Sequence, residues 1–242
     1  AIAGVAEGVW RPAALVAFGA ARLASVVMAD RAASVRLFPS DAFAPRTIVV
    51  AWLWVVLLMP MGQASSSVYL PISIQSLWGY SPSEAGGLIA AMAVSWSTAA
   101  MIVALPKDSR FAVPLIRLGA VLVSAGLVGL AIAIPGRLPV LLALCQVTIG
   151  TGFGIGWGYL NQVVAMAAPT EERDLASALV PTTQSAGFAI GAALAGLTAN
   201  VSGYSGALVA HTSGAMGAWI FGASAFFAAV AAAISLQVKR LA

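Results

Sequence analysis

Apolar residues run along this chain in long blocks separated by short polar gaps. The clearest case lies between Leu138 and Asn200, where LPVLLALCQVTIGTGFGIGWGYLNQVVAMAAP and LASALVPTTQSAGFAIGAALAGLTAN flank the charged turn TEERD. Each block is long enough to cross a bilayer. A helix satisfies its own backbone hydrogen bonds, so in lipid the pair reads as a packed helical hairpin. The pattern repeats along the chain and predicts seven spans, near residues 12–29, 47–74, 83–105, 114–134, 138–166, 175–200 and 213–237. About 20 residues at 1.5 Å each cross the hydrocarbon layer, and every block meets or nearly meets that length. Residues 1–6 (AIAGVA) read as the end of a further span, followed by the turn EGVWRP.

Composition agrees with this reading. Of 242 residues, 61% are hydrophobic and only 8% charged, with a mean hydropathy of +0.97. Soluble domains carry about 25% charged residues. The expected fold class is therefore an all-α integral membrane protein in contact with the lipid bilayer. Seven spans place the two termini on opposite sides, and residue 1 is an Ala with no signal peptide pattern. Both features lead us to expect that the chain begins partway through a longer polypeptide.

Charge sets the orientation. With the loops 30–46, 106–117 and 167–174 and the C-terminus inside, the inner cations are Arg31, Arg36, Arg46, Lys107, Arg110, Arg117, Arg173, Lys239 and Arg240. Only Arg11 and Arg137 fall outside. This asymmetry predicts a cytoplasmic C-terminus. The net charge of +4 thus belongs to membrane loops, and no nucleic-acid partner is expected. Trp10, Trp78, Tyr80 and Tyr204 fall at the outer boundary, as an aromatic belt would.

Small and polar residues within the spans carry the remaining information. Gly150, Gly154 and Gly158 form one ridge of the fifth span and Gly152 with Gly156 a second, while Gly187, Gly191 and Ala195 form one on the next. Such ridges let neighbouring helices approach closely. No strand precedes the glycines and no soluble βαβ unit surrounds them, which excludes a dinucleotide fingerprint. Pro60, beside Met61-Gly62-Gln63 and Ser65-Ser66-Ser67, predicts either a partly unwound helix open to a cavity or an ordinary packed kink. Gln63, Ser66, Ser67, Tyr69, Gln75, Ser95, Ser97, Thr98, Gln146, Thr148, Asn161, Gln162, Thr182, Thr183 and Gln184 are the polar residues that mark the spans. They either bond between helices or line a polar, uncharged cavity, in which Trp157 and Tyr69 could stack on a ligand.

Ionisable chemistry is sparse. All eight acidic residues lie in predicted loops or at span ends. Arg22 is the exception among cations, in the middle of the first span, where it must find a partner or snorkel. Cys145 reads as a small core hydrophobe. His211 falls in an outer loop, no GxSxG elbow occurs, and a single His excludes a multi-histidine metal site. No catalytic residue, metal or cofactor is expected.

Several segments resemble the major facilitator superfamily, specifically its fourteen-helix drug:proton antiporter branch. VWRP with its following span and Asp30-Arg31, then RLFPSDAFAPR, look like the approach to the second bundle. YLPISIQSLWGYSPSEAG (69–86), GTGFGIG and PTEERDLASALVPTTQSAGFAIGAALAG are the more specific matches. The resemblance implies the C-terminal half of such a transporter. Residues 1–45 would hold the end of a preceding helix, a turn, a linker-type helix and a loop, and 46–242 a six-helix bundle. An N-terminal six-helix bundle is expected upstream or as a separate chain. The implied function is proton-coupled efflux of small amphipathic compounds across a bacterial plasma membrane, with the small molecule and protons as partners. The implied substrate-cavity candidates are Gln63, Ser66, Tyr69, Trp157, Asn161 and Gln184, and the gating-loop candidates Asp108 and Arg110. In LPKDSRFAVPLIRLG, Asp108, Arg110 and Arg117 match the family loop but its glycines are missing. A non-transporting membrane scaffold or partner-binding subunit is the alternative.

Overall fold

The computed structural model describes residues 47–104, 109–201 and 215–238 continuously, with scattered positions between 18 and 39. Six helices long and apolar enough to cross a membrane lie among the described residues, and no strand does. We number them α1 (Ile48–Trp78), α2 (Pro82–Ala104), α3 (Ala112–Gly136), α4 (Pro139–Ala167), α5 (Arg173–Val201) and α6 (Ala215–Gln237). The chain is an all-α membrane protein. It forms two compact units, Ala1–Pro39 and Ser40–Ala242. Half of the expected first span, 12–29, lies outside the described residues.

Helix ends follow local chemistry. Thr47 caps α1, its side chain accepting from the Val50 N–H, and Gly79 closes it in the left-handed region at φ 73°. A capping box starts α2: Ser81 N–H and Oγ both donate to Glu84 Oε2, at 2.8 and 2.7 Å, and the Glu84 N–H returns to Ser81 Oγ. Pro82 then occupies the first helical position, where its missing N–H costs least. Arg137 ends α3 at φ 50°, and Pro139 begins α4.

The helix neighbours follow a two-fold rule. α1 packs on α5 and α6, α4 packs on α2 and α3, and α3 packs on α6. Exchanging α1 with α4, α2 with α5 and α3 with α6 leaves that set unchanged. The bundle therefore consists of two interleaved three-helix repeats, and because three is odd, the repeats run in opposite directions. The burial of the apolar windows follows the same exchange, 67% and 56% for α1 and α4, 11% and 28% for α2 and α5, and 44% for both α3 and α6. Every residue of α1 from Leu58 to Ser66 is buried. In α2 only Ala85, Met92 and Ala99 are, seven residues apart on one edge.

Lipid gives no hydrophobic drive between helices, so close van der Waals approach must hold these seams. The glycines supply it. A Cβ on Gly150 would meet Met92 O and Ser95 Oγ, and one on Gly154 would meet Trp96 O and Ala99 Cβ, so this ridge of α4 seats α2. Gly152 and Gly156 form the other ridge, against Gly119 and Ile116 of α3. Gly187 and Gly191 of α5 lie on the Leu57 and Met61 carbonyls of α1. One expectation needs correction: Gly158 is not part of a seam, since nothing lies within 4 Å of where its Cβ would be. At Pro60 the structure favours the packed alternative over the partly unwound one. α1 is helical without interruption from Ile48 to Trp78, because the segment is packed on all sides rather than opened to a cavity.

Candidate functional site

The polar residues of α1 meet α4 and α2 at one place. Gln63 and Ser66 lie one turn apart on α1, 6% and 2% exposed. Gln63 Nε2 donates to Ser67 Oγ at 2.8 Å and approaches Met92 Sδ of α2 at 3.5 Å. Ser66 Oγ donates to Gln146 Oε1 of α4 at 3.3 Å. Gln146 is 1% exposed, and its Nε2 has no hydrogen-bond partner. Among the described residues one other buried side-chain nitrogen is unpartnered, Trp52 Nε1. An unmade bond on a buried amide costs about 1–3 kcal/mol. The node is uncharged, as the sequence predicts, and α1 and α4 are the first helices of the two repeats.

The other cavity candidates are distributed around the bundle. Trp157 stands at the end of an aromatic row on the α2–α4 seam. Trp96 stacks on Phe153 with centroids 4.9 Å apart and planes at 16°, and Phe153 meets Trp157 at 5.8 Å. Asn161 Nδ2 turns back on its own helix to the Trp157 carbonyl at 2.9 Å. Tyr69 instead packs against Ala195, Ala199 and Ile220, filling the α1–α5–α6 seam. With Ser66 level with Gln146 in antiparallel helices, Tyr69 and Trp157 are offset by about 20 Å along the bundle. The structure does not bring these two aromatics together. Gln184 is half-buried on α5.

The charged candidates fall elsewhere. Asp108 lies outside the described residues. Arg110 is exposed in a 3-10 turn, Ser109–Phe111, its guanidinium 5.1 Å from the Phe111 ring centroid. Arg117 is tied to a helix end instead, with its Nε donating to Ser235 O at 3.0 Å and its Nη2 to Val238 O at 2.7 Å. These are carbonyls at the C-terminus of α6, which a helix leaves unpaired and where its dipole favours a cation. Arg22, in the first unit, is exposed, with its guanidinium 6.0 Å from the Phe18 ring centroid.

A separate groove of about 330 Å³ runs between α5 and α6, lined among others by Gly191, Leu194, Thr198, Ser224 and Phe227. Its hydroxyls are already used. Thr198 donates to Leu194 O and Ser224 to Ile220 O, each within its own helix. None of the substrate-cavity candidates lines it. Sequence reasoning missed the central part of Gln146, and also Met92, Trp96 and the capping by Arg117. An amide in an apolar span was a usable signal for the first; nothing marked the other three.

No family profile matches the chain. Two curated proteins are similar to it. Both carry the name "Probable multidrug-efflux transporter", one from Mycobacterium tuberculosis strain CDC 1551 / Oshkosh and one from strain ATCC 25618 / H37Rv. Each is 28% identical over 195 residues, covering 78% of this chain and 41% of the relative. The chain thus spans less than half the length of the relatives it matches. Homology to proteins of that name and six membrane-length helices together support a role in transport for this integral membrane protein.

Proposed function

We propose that this chain is the C-terminal half of a major-facilitator-type transporter of the fourteen-helix drug:proton antiporter branch. It would export small amphipathic compounds across a bacterial plasma membrane, with its C-terminus in the cytoplasm. The observation that carries this reading is the pair of inverted three-helix repeats, with α2 and α5 each held along one glycine-lined edge. In this reading the six-helix unit moves against an upstream six-helix bundle, and rocking of two bundles around a site at their interface is how such transporters alternate access. In this reading α3 and α6 form the back of the bundle, and α1, α2, α4 and α5 face an upstream bundle across the substrate path. Gln63, Ser66, Tyr69, Trp157, Asn161 and Gln184 serve that path at different depths. In the six-helix unit, Glu84 and Asp174 lie in first turns of helices and Glu171 and Glu172 in the turn before α5. These are the acidic residues of that unit among the described ones, and in this reading proton binding at depth falls to the upstream half.

The test is dye efflux from bacterial cells that lack their main pumps and express the full-length polypeptide. Lower accumulation of a fluorescent amphipathic dye, restored to control by a protonophore, is the expected result. A protein present in the membrane at normal abundance that leaves dye accumulation unchanged would refute transport and favour a scaffold or partner-binding role. Intact mass of the native polypeptide checks the half-transporter reading separately. A mass near that of this chain, 24.4 kDa, would overturn the covalent version.

A further inference from the structure

Both α5 and α6 settle onto α1, and the way they do so leaves a trough between them. Gly187 and Gly191 of α5 lie on the Leu57 and Met61 carbonyls, and a Cβ on Gly62 of α1 would meet Ser224 O and Ala228 of α6. Each helix thus approaches α1 to backbone contact, while α5 and α6 touch each other over a short length only. The trough is the groove of about 330 Å³ described above. From Gly191 to Thr198 it follows α5 for about 10 Å at 1.5 Å per residue.

Its lining suits hydrocarbon and little else. Leu194, Phe226 and Phe227 supply carbon walls, and no charged side chain lines it among the described residues. The Thr198 and Ser224 hydroxyls donate to carbonyls of their own helices. Water needs several polar partners to stay in such a site, and a charged ligand would lose its hydration without a counter-charge. An apolar wall gains dispersion only from carbon laid against it. The groove is also continuous with the surface that meets the bilayer. α6 packs its inner side on α1 and α3 and turns Trp219 and Phe226 outward, 70% and 63% exposed.

The depth of the groove is that of one leaflet. Its Gly191 end is level with Met61, near the middle of α1. Its other end runs toward Ala199 and Ile220, which pack together close to where α5 ends and α6 begins. Trp219 stands four residues before Ala223, on the same helix face, in the second turn of α6. An indole at such a level belongs to the headgroup side of a membrane interface.

We infer that this groove holds one acyl chain of a membrane glycerophospholipid from the leaflet on the side where α5 ends and α6 begins. The end of the chain lies beside Leu194 and Phe227, and its ester lies toward Trp219. The chain covers the seam that α5 and α6 do not close by themselves. This inference depends on membrane insertion and is independent of the transport reading.

The experiment places the full-length polypeptide in phosphatidylcholine vesicles that carry a trace of one of two photoactivatable phosphatidylcholines. One has its diazirine near the ester and the other at the chain end, and labelled residues are mapped by peptide mass spectrometry. The groove should label more heavily than Val121 and Val128, exposed apolar residues of α3 that report loosely held lipid. The chain-end diazirine should label Leu194 and Phe227, and the ester-side one Thr198 and Trp219. Ala223→Phe, at an exposed position of the groove wall, fills the trough and should remove the excess. Ala223→Leu serves should the first variant fold poorly. Ala233→Phe, exposed on the same helix outside the groove, should leave the excess intact. Even labelling of α3 and α6, an excess that survives both Ala223 substitutions, or the reverse order of the two diazirines would overturn the site. An excess displaced by the dye of the efflux assay would give the groove to the transported compound, and no groove labelling at all would give it to another segment of the polypeptide. Either result overturns the lipid assignment.

Discussion

The α2–α4 seam gives a sharp quantitative test of how this bundle is held. A Cβ placed on Gly154 would lie 2.5 Å from Trp96 O and 2.7 Å from Ala99 Cβ. Ordinary carbon contacts begin near 3.5 Å, so Gly154→Ala must push α2 away from α4 by close to an ångström. Neither obstacle is the mobile end of a long side chain, which leaves helix displacement as the only relief. Overpacking of this kind costs about 1–3 kcal/mol. The alanine itself returns up to about 1 kcal/mol of helix propensity. Gly158, one turn further along the same helix, has nothing within 4 Å of its Cβ position. Gly158→Ala should therefore collect the propensity gain alone and stabilise the protein by up to about 1 kcal/mol. The assay is thermal unfolding of the full-length protein in detergent, followed by tryptophan fluorescence, since the Trp96–Phe153 stack sits beside Gly154. Gly154→Ala should lower the midpoint by several degrees and shift the emission, while Gly158→Ala should hold or raise it. Equal effects of the two substitutions, in either direction, would refute the claim that backbone proximity at the glycines holds this seam.

Two further outcomes follow from named contacts. Arg117→Leu removes both donors from the Ser235 and Val238 carbonyls. Hydrogen bonds to a charged group contribute about 1.5–3 kcal/mol, reduced here by the half-exposed setting. The expected result is faster amide hydrogen exchange in the last turn of α6 with the rest of the helix unchanged, and uniform exchange along α6 would contradict the capping role. Ser81→Ala breaks the capping box of α2 and should cost about 1 kcal/mol. A midpoint unchanged within error would show that the start of α2 is held by something other than Ser81.

Much of the fold was legible from run length alone. The predicted span 47–74 and the helix Ile48–Trp78 differ by four residues at one end, and 138–166 and Pro139–Ala167 by one at each. The reason is that lipid sets the length of an apolar run, and charged or proline residues stop it. The two glycine ridges of α4 were legible too, because a helix turns residues four apart onto one face whatever lies opposite. Rotation of the larger side chains was not. In a soluble helix the apolar face marks the core, but here lipid and core are both apolar, so the sequence of α1 carries no sign of which side is buried. That is why Tyr69 and Trp157 looked interchangeable as stacking surfaces and lie in different seams. The capping by Arg117 was hidden for a related reason. A cation near a span end reads as a loop charge, and only the arrival of α6 beside it supplies the carbonyls that it caps.

The same limit explains why Gln146 emerges only in three dimensions. Many polar residues mark the spans in the sequence, and helix backbones absorb several of them: Thr148, Asn161 and Thr182 each donate to the carbonyl four residues earlier. A hydroxyl or short amide can do this because its reach matches one helical turn, and such a residue then asks nothing of its neighbours. Gln146 and Gln63 also reach other helices: Gln146 Oε1 accepts from Ser66 of α1, and Gln63 Nε2 approaches Met92 of α2 as well as Ser67 of its own helix. Polar residues that leave their own helix in a membrane bundle fix the register between helices. The few amides that bridge helices, rather than the many polar groups that do not, therefore set how α1, α2 and α4 sit against one another.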